Sequence, residues 1–139
     1  MSVYKRNRKE TATQYVVTAQ ALQKAVVQYV MNEKYVPKKW RFVLAQGAIN
    51  LVCEIMNNII AAHNTFPNTE EKLTIRKEYL RKAYVGCYQL QQHLICLINV
   101  IPTVKAGNLG EITGLLLDEI ALITKTGKNA RIVQQQEQV

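Results

Sequence analysis

The stretch Lys38–His63, with the sequence KKWRFVLAQGAINLVCEIMNNIIAAH, decides the fold class of this 139-residue chain. Its apolar residues recur at intervals of three and four, which is the spacing of one face of an α-helix. The face consists of Trp40, Leu44, Gly47, Leu51, Ile55 and Ile59. Since a helix that is apolar along one side must bury that side, the sequence predicts a helix over about residues 38–63, packed against other helices.

Three prolines, Pro37, Pro67 and Pro102, divide the chain into four segments of similar length. Proline disfavours a helix interior and restricts the residue before it, so each proline predicts a boundary. Helical spacing recurs in every segment, and no two-residue Asn-Gly or Asp-Gly hairpin turn occurs. We therefore predict an all-α protein, an antiparallel up-down-up-down four-helix bundle that forms a single domain over residues 1–139.

Local signals refine these helices. Asn68, followed by Glu71, predicts the start of the third helix, and Asn108, followed by Glu111, predicts the start of the fourth. Glycines at positions 47, 86 and 114 lie inside predicted helices, where each costs about 1 kcal/mol relative to alanine. We interpret all three as places where helices cross closely. The basic residues 1–9 and the glutamine-rich tail 128–139 are expected to be flexible.

The chain is strongly basic, with 18 Lys or Arg residues against 10 Asp or Glu residues and a net charge of +8. A hydrophobic content of 48% is typical of a globular protein. Asp118 is the only aspartate, which excludes an enzyme that needs several aspartates. The positive charge favours an anionic partner such as nucleic acid, an acidic protein or a membrane surface.

In the predicted bundle, most of the positive charge gathers at one end. Lys72 and Arg76, and likewise Lys77 and Arg81, are like-charge pairs four residues apart, which weaken a helix. A solvated charged face is the alternative interpretation, and a surface for phosphates is equally consistent with the pattern. Twelve of the eighteen basic residues belong to this end: Lys5, Arg6, Arg8, Lys9, Lys72, Arg76, Lys77, Arg81, Lys82, Lys125, Lys128 and Arg131.

The sequence offers no pattern of catalytic or metal-binding residues. His63 and His93 lie far apart, without the spacing of metal ligands. The cysteines at 53, 87 and 96 form no C-x-x-C pair and are expected to be reduced, and no signal peptide is evident. We therefore expect a cytoplasmic protein that has no enzymatic activity, binds no metal or cofactor and does not associate with membranes.

Four stretches resemble a family of bacterial four-helix-bundle proteins. They are PKKWRF at residues 37–42, the apolar run over residues 44–64, RKEYLRKA at residues 76–83 and the pattern of leucines and isoleucines over residues 109–123. The family contains the accessory variability determinant (Avd) of diversity-generating retroelements and the ribosomal-RNA intervening-sequence proteins. Many relatives end the last helix in a tryptophan-containing turn, whereas this chain has LITKTG at residues 122–127.

The resemblance to Avd implies a homopentamer that binds a reverse transcriptase and its template RNA, and also the cDNA, in support of mutagenic cDNA synthesis. The resemblance to the intervening-sequence proteins implies instead a structural or interaction module. The basic residues that match the family motifs, together with Lys72 from the same cluster, form the predicted binding set: Lys38, Lys39, Arg41, Lys72, Arg76, Lys77, Arg81 and Lys82.

Overall fold

The computed structural model describes residues 12–133, which form helices and no strand. The α-helices are α1 (Gln14–Val30), α2 (Gln46–His63), α3 (Glu70–Val100) and α4 (Gly110–Asn129). Helix α1 packs against α2 and α4, and α3 packs against the same two helices. The predicted all-α class and the four packed helices are therefore confirmed. The flexibility expected for residues 1–9 and for residues 134–139 of the tail lies outside the described residues.

The four helices enclose one hydrophobic core. Each contributes aliphatic side chains at helical spacing, and complete burial of one such side chain stabilises the fold by about 1.5–3 kcal/mol. The core therefore accounts for the association of helices that would be marginal in isolation. Its fully or almost fully buried members include Leu22, Val26, Val52, Ile55, Ile59, Leu90, Leu97, Ile112, Leu116 and Ile123.

The segment before α2 departs from a regular α-helix. Lys38–Trp40 form a 3-10 turn and Arg41–Ala45 form a π-helical turn, so the chain is helical from residue 38 to residue 63, but α-helical only from Gln46. A π turn contains more residues than an α turn, which changes the side of the helix that later residues face. Within this turn, Phe42 and Val43 are 93% and 73% exposed.

The stretch Lys38–His63 is the one candidate membrane span among residues 12–133, with a mean hydropathy of 1.3. This rests on length and composition alone, and about a third of its most apolar window is buried in the bundle. A helix that supplies part of a hydrophobic core has the same properties. The finding is therefore weak evidence for a membrane span.

Two of the three glycines interpreted as close crossings allow a close approach between α2 and α3. A Cβ atom on Gly47 would lie 2.7 Å from the His93 ring, and one on Gly86 would lie 2.9 Å from the Ile55 side chain. The interpretation of these glycines as close crossings is confirmed. For Gly114 it is wrong, because a Cβ atom there would meet nothing within 4 Å.

The predicted helix starts are each displaced. Thr69 caps α3, and its hydroxyl accepts a hydrogen bond from the Lys72 amide at 3.1 Å. The neighbouring Asn68, predicted as the cap, instead has a buried side-chain oxygen without a partner. Helix α4 follows a 3-10 turn at Ala106–Leu109 and has no side-chain cap, so the predicted cap at Asn108 is wrong as well.

Candidate nucleic-acid interface

A basic cleft lies where the start of α1, the loop between α2 and α3, and the end of α4 meet. It has a volume of about 440 Å³, and we call it the α1/α4 cleft. None of its lining residues is acidic. Three cations and several apolar or aromatic side chains line it, namely Arg76, Lys125, Arg131, Tyr15, Phe66, Pro67, Leu122 and Val133.

A second basic cleft lies on the other side of the end of α4. This α3/α4 cleft has a volume of about 330 Å³ and is lined by Lys77 and Arg81 from α3 and by Lys128 from α4. Residues 122, 125, 126 and 129 of α4 face the first cleft, and residues 123, 124, 127 and 128 face the second. One helical segment thus separates two basic clefts.

Arg76 is fixed in place by the backbone at the end of α2. Its Nη1 donates to the carbonyl oxygens of Ala62 and Thr65 at 3.1 and 3.3 Å, and its Nη2 donates to the Tyr15 hydroxyl at 3.3 Å. The last carbonyls of a helix have no partner within the helix and favour a nearby cation. Arg76 therefore stabilises the end of α2 as well as lining the α1/α4 cleft.

Tyr15 connects this arginine to His63. The Tyr15 hydroxyl lies 3.2 Å from Nδ1 of His63, and the two rings meet edge to face. Because arginine can only donate, the Tyr15 oxygen accepts from Arg76, and its own proton can be donated to an unprotonated Nδ1. Burial raises the pKa of Tyr15, and the positive charge of Arg76 opposes that rise.

The remaining predicted residues on α3 lie at the surface, and two of them, Lys77 and Arg81, line the α3/α4 cleft. Arg81 forms a two-pronged ion pair with Glu78 at 2.8 and 3.1 Å, which raises the pKa of Arg81 and lowers that of Glu78. The Lys82 ammonium lies 5.4 Å from the centre of the Tyr79 ring. Lys72 and Lys77 are exposed, and neither forms an ion pair within the described part of the chain.

Lys38, Lys39 and Arg41 lie away from the two clefts. The contacts between α2 and α3 place the start of α2 beside His93 and its end beside Arg76, which are separated by about 25 Å of helix. Arg41 donates to the Met31 carbonyl at 3.3 Å and lies 3.6 Å from the Glu33 carboxylate. The structure therefore does not bring this part of the predicted set together with the α3 residues.

Glu119 is a buried residue that sequence reasoning missed. Its side chain is completely buried on α4, and neither carboxyl oxygen has a hydrogen-bond partner among residues 12–133. Burial raises its pKa to about 9, so the carboxyl is protonated at neutral pH. The sequence contains a signal for this burial, because Ile112, Leu116, Glu119 and Ile123 follow one another at intervals of four, three and four residues, which is the spacing of one helix face.

Metal-ligating side chains do not cluster in residues 12–133, where no group of three or more His, Cys, Asp or Glu residues could hold an ion. The three cysteines are free. Cys87 is buried, and its burial together with the nearby Glu119 raises the pKa of its thiol to about 12, which keeps it protonated and unreactive. Cys53 and Cys96 are half-buried.

Comparisons with models of protein families, with curated proteins and with solved structures found no match to this chain. We therefore infer what this surface binds from the residues that line the two clefts. Two clefts with six cations between them, and without an acidic lining residue in either, are suited to a ligand that carries several negative charges.

Proposed function

We propose that the protein is a non-catalytic accessory subunit of a diversity-generating retroelement. In this role it binds the element's reverse transcriptase and template RNA in the cytoplasm and supports mutagenic cDNA synthesis. The observation that carries the proposal is the pair of basic clefts on either side of the end of α4. The motifs that resemble Avd add the identity of the partners.

RNA suits this surface because its phosphates are regularly spaced negative charges. Lys77, Lys128 and Lys125 can each approach a phosphate as a flexible point charge, whereas an arginine can bind two of its oxygens at once. Contacts of this kind release counterions, so binding weakens steeply as salt increases. They carry little sequence preference, which suits a subunit that holds RNA for another enzyme.

The proposal includes an antiparallel up-down-up-down arrangement of the helices. Pairs of contacts between α2 and α3 support it, because residue numbers rise along one helix as they fall along the other. His93 bonds to the Leu44 carbonyl, Gly86 approaches Ile55, and Arg76 bonds to the Ala62 carbonyl. This arrangement accounts for the meeting of helix ends at the α1/α4 cleft.

The proposed assembly is a homopentamer, as the resemblance implies. Exposed apolar side chains support association between copies, since Phe42 and Val43 project from the π-helical turn and Tyr84 and Tyr88 lie on the outside of α3. The same exposed residues favour the second candidate function, a structural or interaction module of the ribosomal-RNA intervening-sequence type. RNA binding through the clefts distinguishes the two functions.

Two charge-reversed variants test the proposal. Lys77→Glu with Lys128→Glu alters the α3/α4 cleft, and Lys34→Glu with Lys105→Glu makes the same change in net charge at exposed positions away from both clefts. We expect the first variant to bind structured RNA roughly tenfold or more weakly and the second to bind within about threefold of the unaltered protein.

Affinity is measured by filter binding, with circular dichroism to establish that both variants fold. Equal losses in the two variants would assign the binding to net charge alone. Capture of the reverse transcriptase of a diversity-generating retroelement tests the second partner. If the unaltered protein captured no reverse transcriptase and bound no RNA at low salt, the proposed function would be rejected.

A further inference from the structure

The α1/α4 cleft, like its neighbour, is lined by aromatic and apolar side chains as well as cations. It differs in that Arg76 is held by backbone carbonyls, whereas Arg81 in the α3/α4 cleft is paired with the Glu78 carboxylate. Its volume of about 440 Å³ lies within the range of small-ligand pockets. Phe66 and Leu122 provide apolar surface, while Thr126 and Asn129 provide hydrogen-bonding groups. A ligand that matches this lining has an anionic part and a flat part that can both stack and form hydrogen bonds.

The anionic part has a prepared partner in Arg76. Three hydrogen bonds to the backbone and to Tyr15 hold its guanidinium and leave two of its five N–H groups unbonded among residues 12–133. Because this side chain is already ordered, a phosphate that binds it meets little further loss of conformational entropy. Lys125 and Arg131 line the same cleft and add positive charge.

Single-stranded RNA supplies ligands of this kind. Its unpaired bases can be turned out of the stack, packed against an aromatic side chain and hydrogen-bonded along their edges. Base stacking on an aromatic side chain tolerates different bases, because every base has a flat face. In a duplex the bases are paired and stacked and only their edges are accessible in the grooves, so a duplex does not supply a base that can enter the cleft.

We propose that the α1/α4 cleft binds one unstacked nucleotide, with its phosphate at Arg76, Lys125 and Arg131 and its base against Phe66. The inference rests on the proposed RNA-binding function and assigns one nucleotide of the bound strand to one cleft. A free nucleotide carries the same phosphate and base as a nucleotide within an RNA strand, so the experiment tests both a free nucleotide and single-stranded RNA.

The test titrates the full chain with adenosine monophosphate, adenosine or inorganic phosphate at constant ionic strength, followed by amide chemical shifts. Adenosine monophosphate is expected to bind saturably and at least tenfold more tightly than either fragment. Lys125→Ala with Arg131→Ala should weaken it tenfold or more, and Phe66→Ala should weaken it without changing the response to phosphate. The matched control, Lys77→Ala with Lys128→Ala, should leave its affinity within twofold.

Other outcomes overturn the inference. Phosphate that binds as tightly as the nucleotide would show a site for the anion alone, and equal losses in both double variants would show attraction by net charge. The same variants are then assayed with single-stranded RNA. If only Lys77→Ala with Lys128→Ala weakened RNA binding, the nucleotide cleft would be rejected and the proposed function would stand. Binding of the nucleotide without any binding of RNA would support the cleft and reject the proposed function.

Discussion

An arginine and a histidine lie at each end of α2, and the charges around them differ between the two ends. Before the helix begins, Arg41 donates to the Met31 carbonyl at the end of α1, and His93 reaches the Leu44 carbonyl at 2.7 Å. Where the helix finishes, Arg76 donates to the carbonyls of Ala62 and Thr65, and His63 lies beside Tyr15. Each arginine thus satisfies carbonyls at a helix terminus, which is a structural role.

The difference between the ends is in the neighbouring charges. The Glu33 carboxylate lies 3.6 Å from Arg41 and partly neutralises it. Arg76 instead shares its cleft with Lys125 and Arg131, without an acidic lining residue. An anionic ligand in this cleft would be attracted by all three cations. At the cleft end, a residue that caps a helix also forms part of the proposed binding surface.

The largest effect is expected from Glu119, whose carboxyl lies buried near Tyr15 of α1 and Cys87 of α3. Its pKa rises from an ordinary 4.5 to about 9 on folding. The unfolded chain therefore loses this proton first, and stability falls as pH rises from about 4.5 towards 9. Glu119→Gln should raise the free energy of unfolding by about 3 kcal/mol at pH 7, because 1 pKa unit corresponds to ~1.4 kcal/mol.

Urea unfolding at several pH values measures this effect. The advantage of Glu119→Gln should be small at pH 5 and should grow by roughly 1.4 kcal/mol per pH unit up to the pKa. Glu111→Gln, at an exposed position in the first turn of the same helix, is the control and should follow the unaltered protein. A constant difference between Glu119→Gln and the unaltered protein at every pH would contradict a buried, protonated carboxyl.

The next effect concerns the start of α2, where Gly47 leaves room for the His93 ring of α3. Gly47→Ala should destabilise the fold by about 1–3 kcal/mol, because the new Cβ would press on the ring and disturb its bond to the Leu44 carbonyl. Gly114→Ala, which meets open space in α4, should stabilise by up to about 1 kcal/mol. Thermal unfolding measures both, and an unchanged or higher Tm for Gly47→Ala would show that the crossing is loose.

Substitution of Arg76 and of Arg41 compares the two ends of α2 directly. Arg76→Ala should cost about 2 kcal/mol, because it removes three hydrogen bonds and leaves the Ala62 carbonyl with only its bond from the Thr65 amide. Arg41→Ala should cost about 1 kcal/mol, since it removes one hydrogen bond to an exposed residue and an exposed ion pair with Glu33 that contributes little. Chemical denaturation of both variants gives the difference. An equal cost would mean that the carbonyls at the end of α2 are satisfied by water.

The smallest effect lies at the start of α3. Thr69→Ala should cost about 1 kcal/mol through loss of its bond to the Lys72 amide. Asn68→Ala should cost little, because the buried Asn68 oxygen has no partner to lose. Denaturant midpoints of the two variants measure this. If Asn68→Ala destabilised the fold more than Thr69→Ala, Asn68 would be the cap of α3, as the sequence pattern predicts.

The helices were predictable because their signals are local. Prolines mark the three boundaries, and the recurring apolar residues of segment two predict helix from residue 38 to residue 63, as the structure has it. The π-helical turn at Arg41–Ala45 was not predictable, since the apolar spacing is the same for a continuous α-helix and does not mark it. Glu119 was missed because glutamate is rarely buried without a partner, although residue 119 occupies a core position of α4.

The site was predictable only as a collection of charges. The sequence indicates which basic residues gather near one end, and Arg76, Lys77 and Arg81 do line the clefts there. It contains no local sign that Arg76 caps α2 or that α4 separates two clefts, because both depend on how residues distant in sequence come together. The structural role of Arg76 makes Lys77 and Lys128 the better positions for testing the binding surface.

The most direct test of the central claim is the salt dependence of RNA binding. The logarithm of the binding constant should fall linearly with the logarithm of salt concentration, with a slope that counts the phosphates contacted. Lys77→Ala with Lys128→Ala should reduce that slope by about 1–2, whereas Lys34→Ala with Lys105→Ala should leave it unchanged. If the two variants had the same slope as the unaltered protein, or if its binding did not depend on salt, the basic clefts would not be the RNA-binding surface.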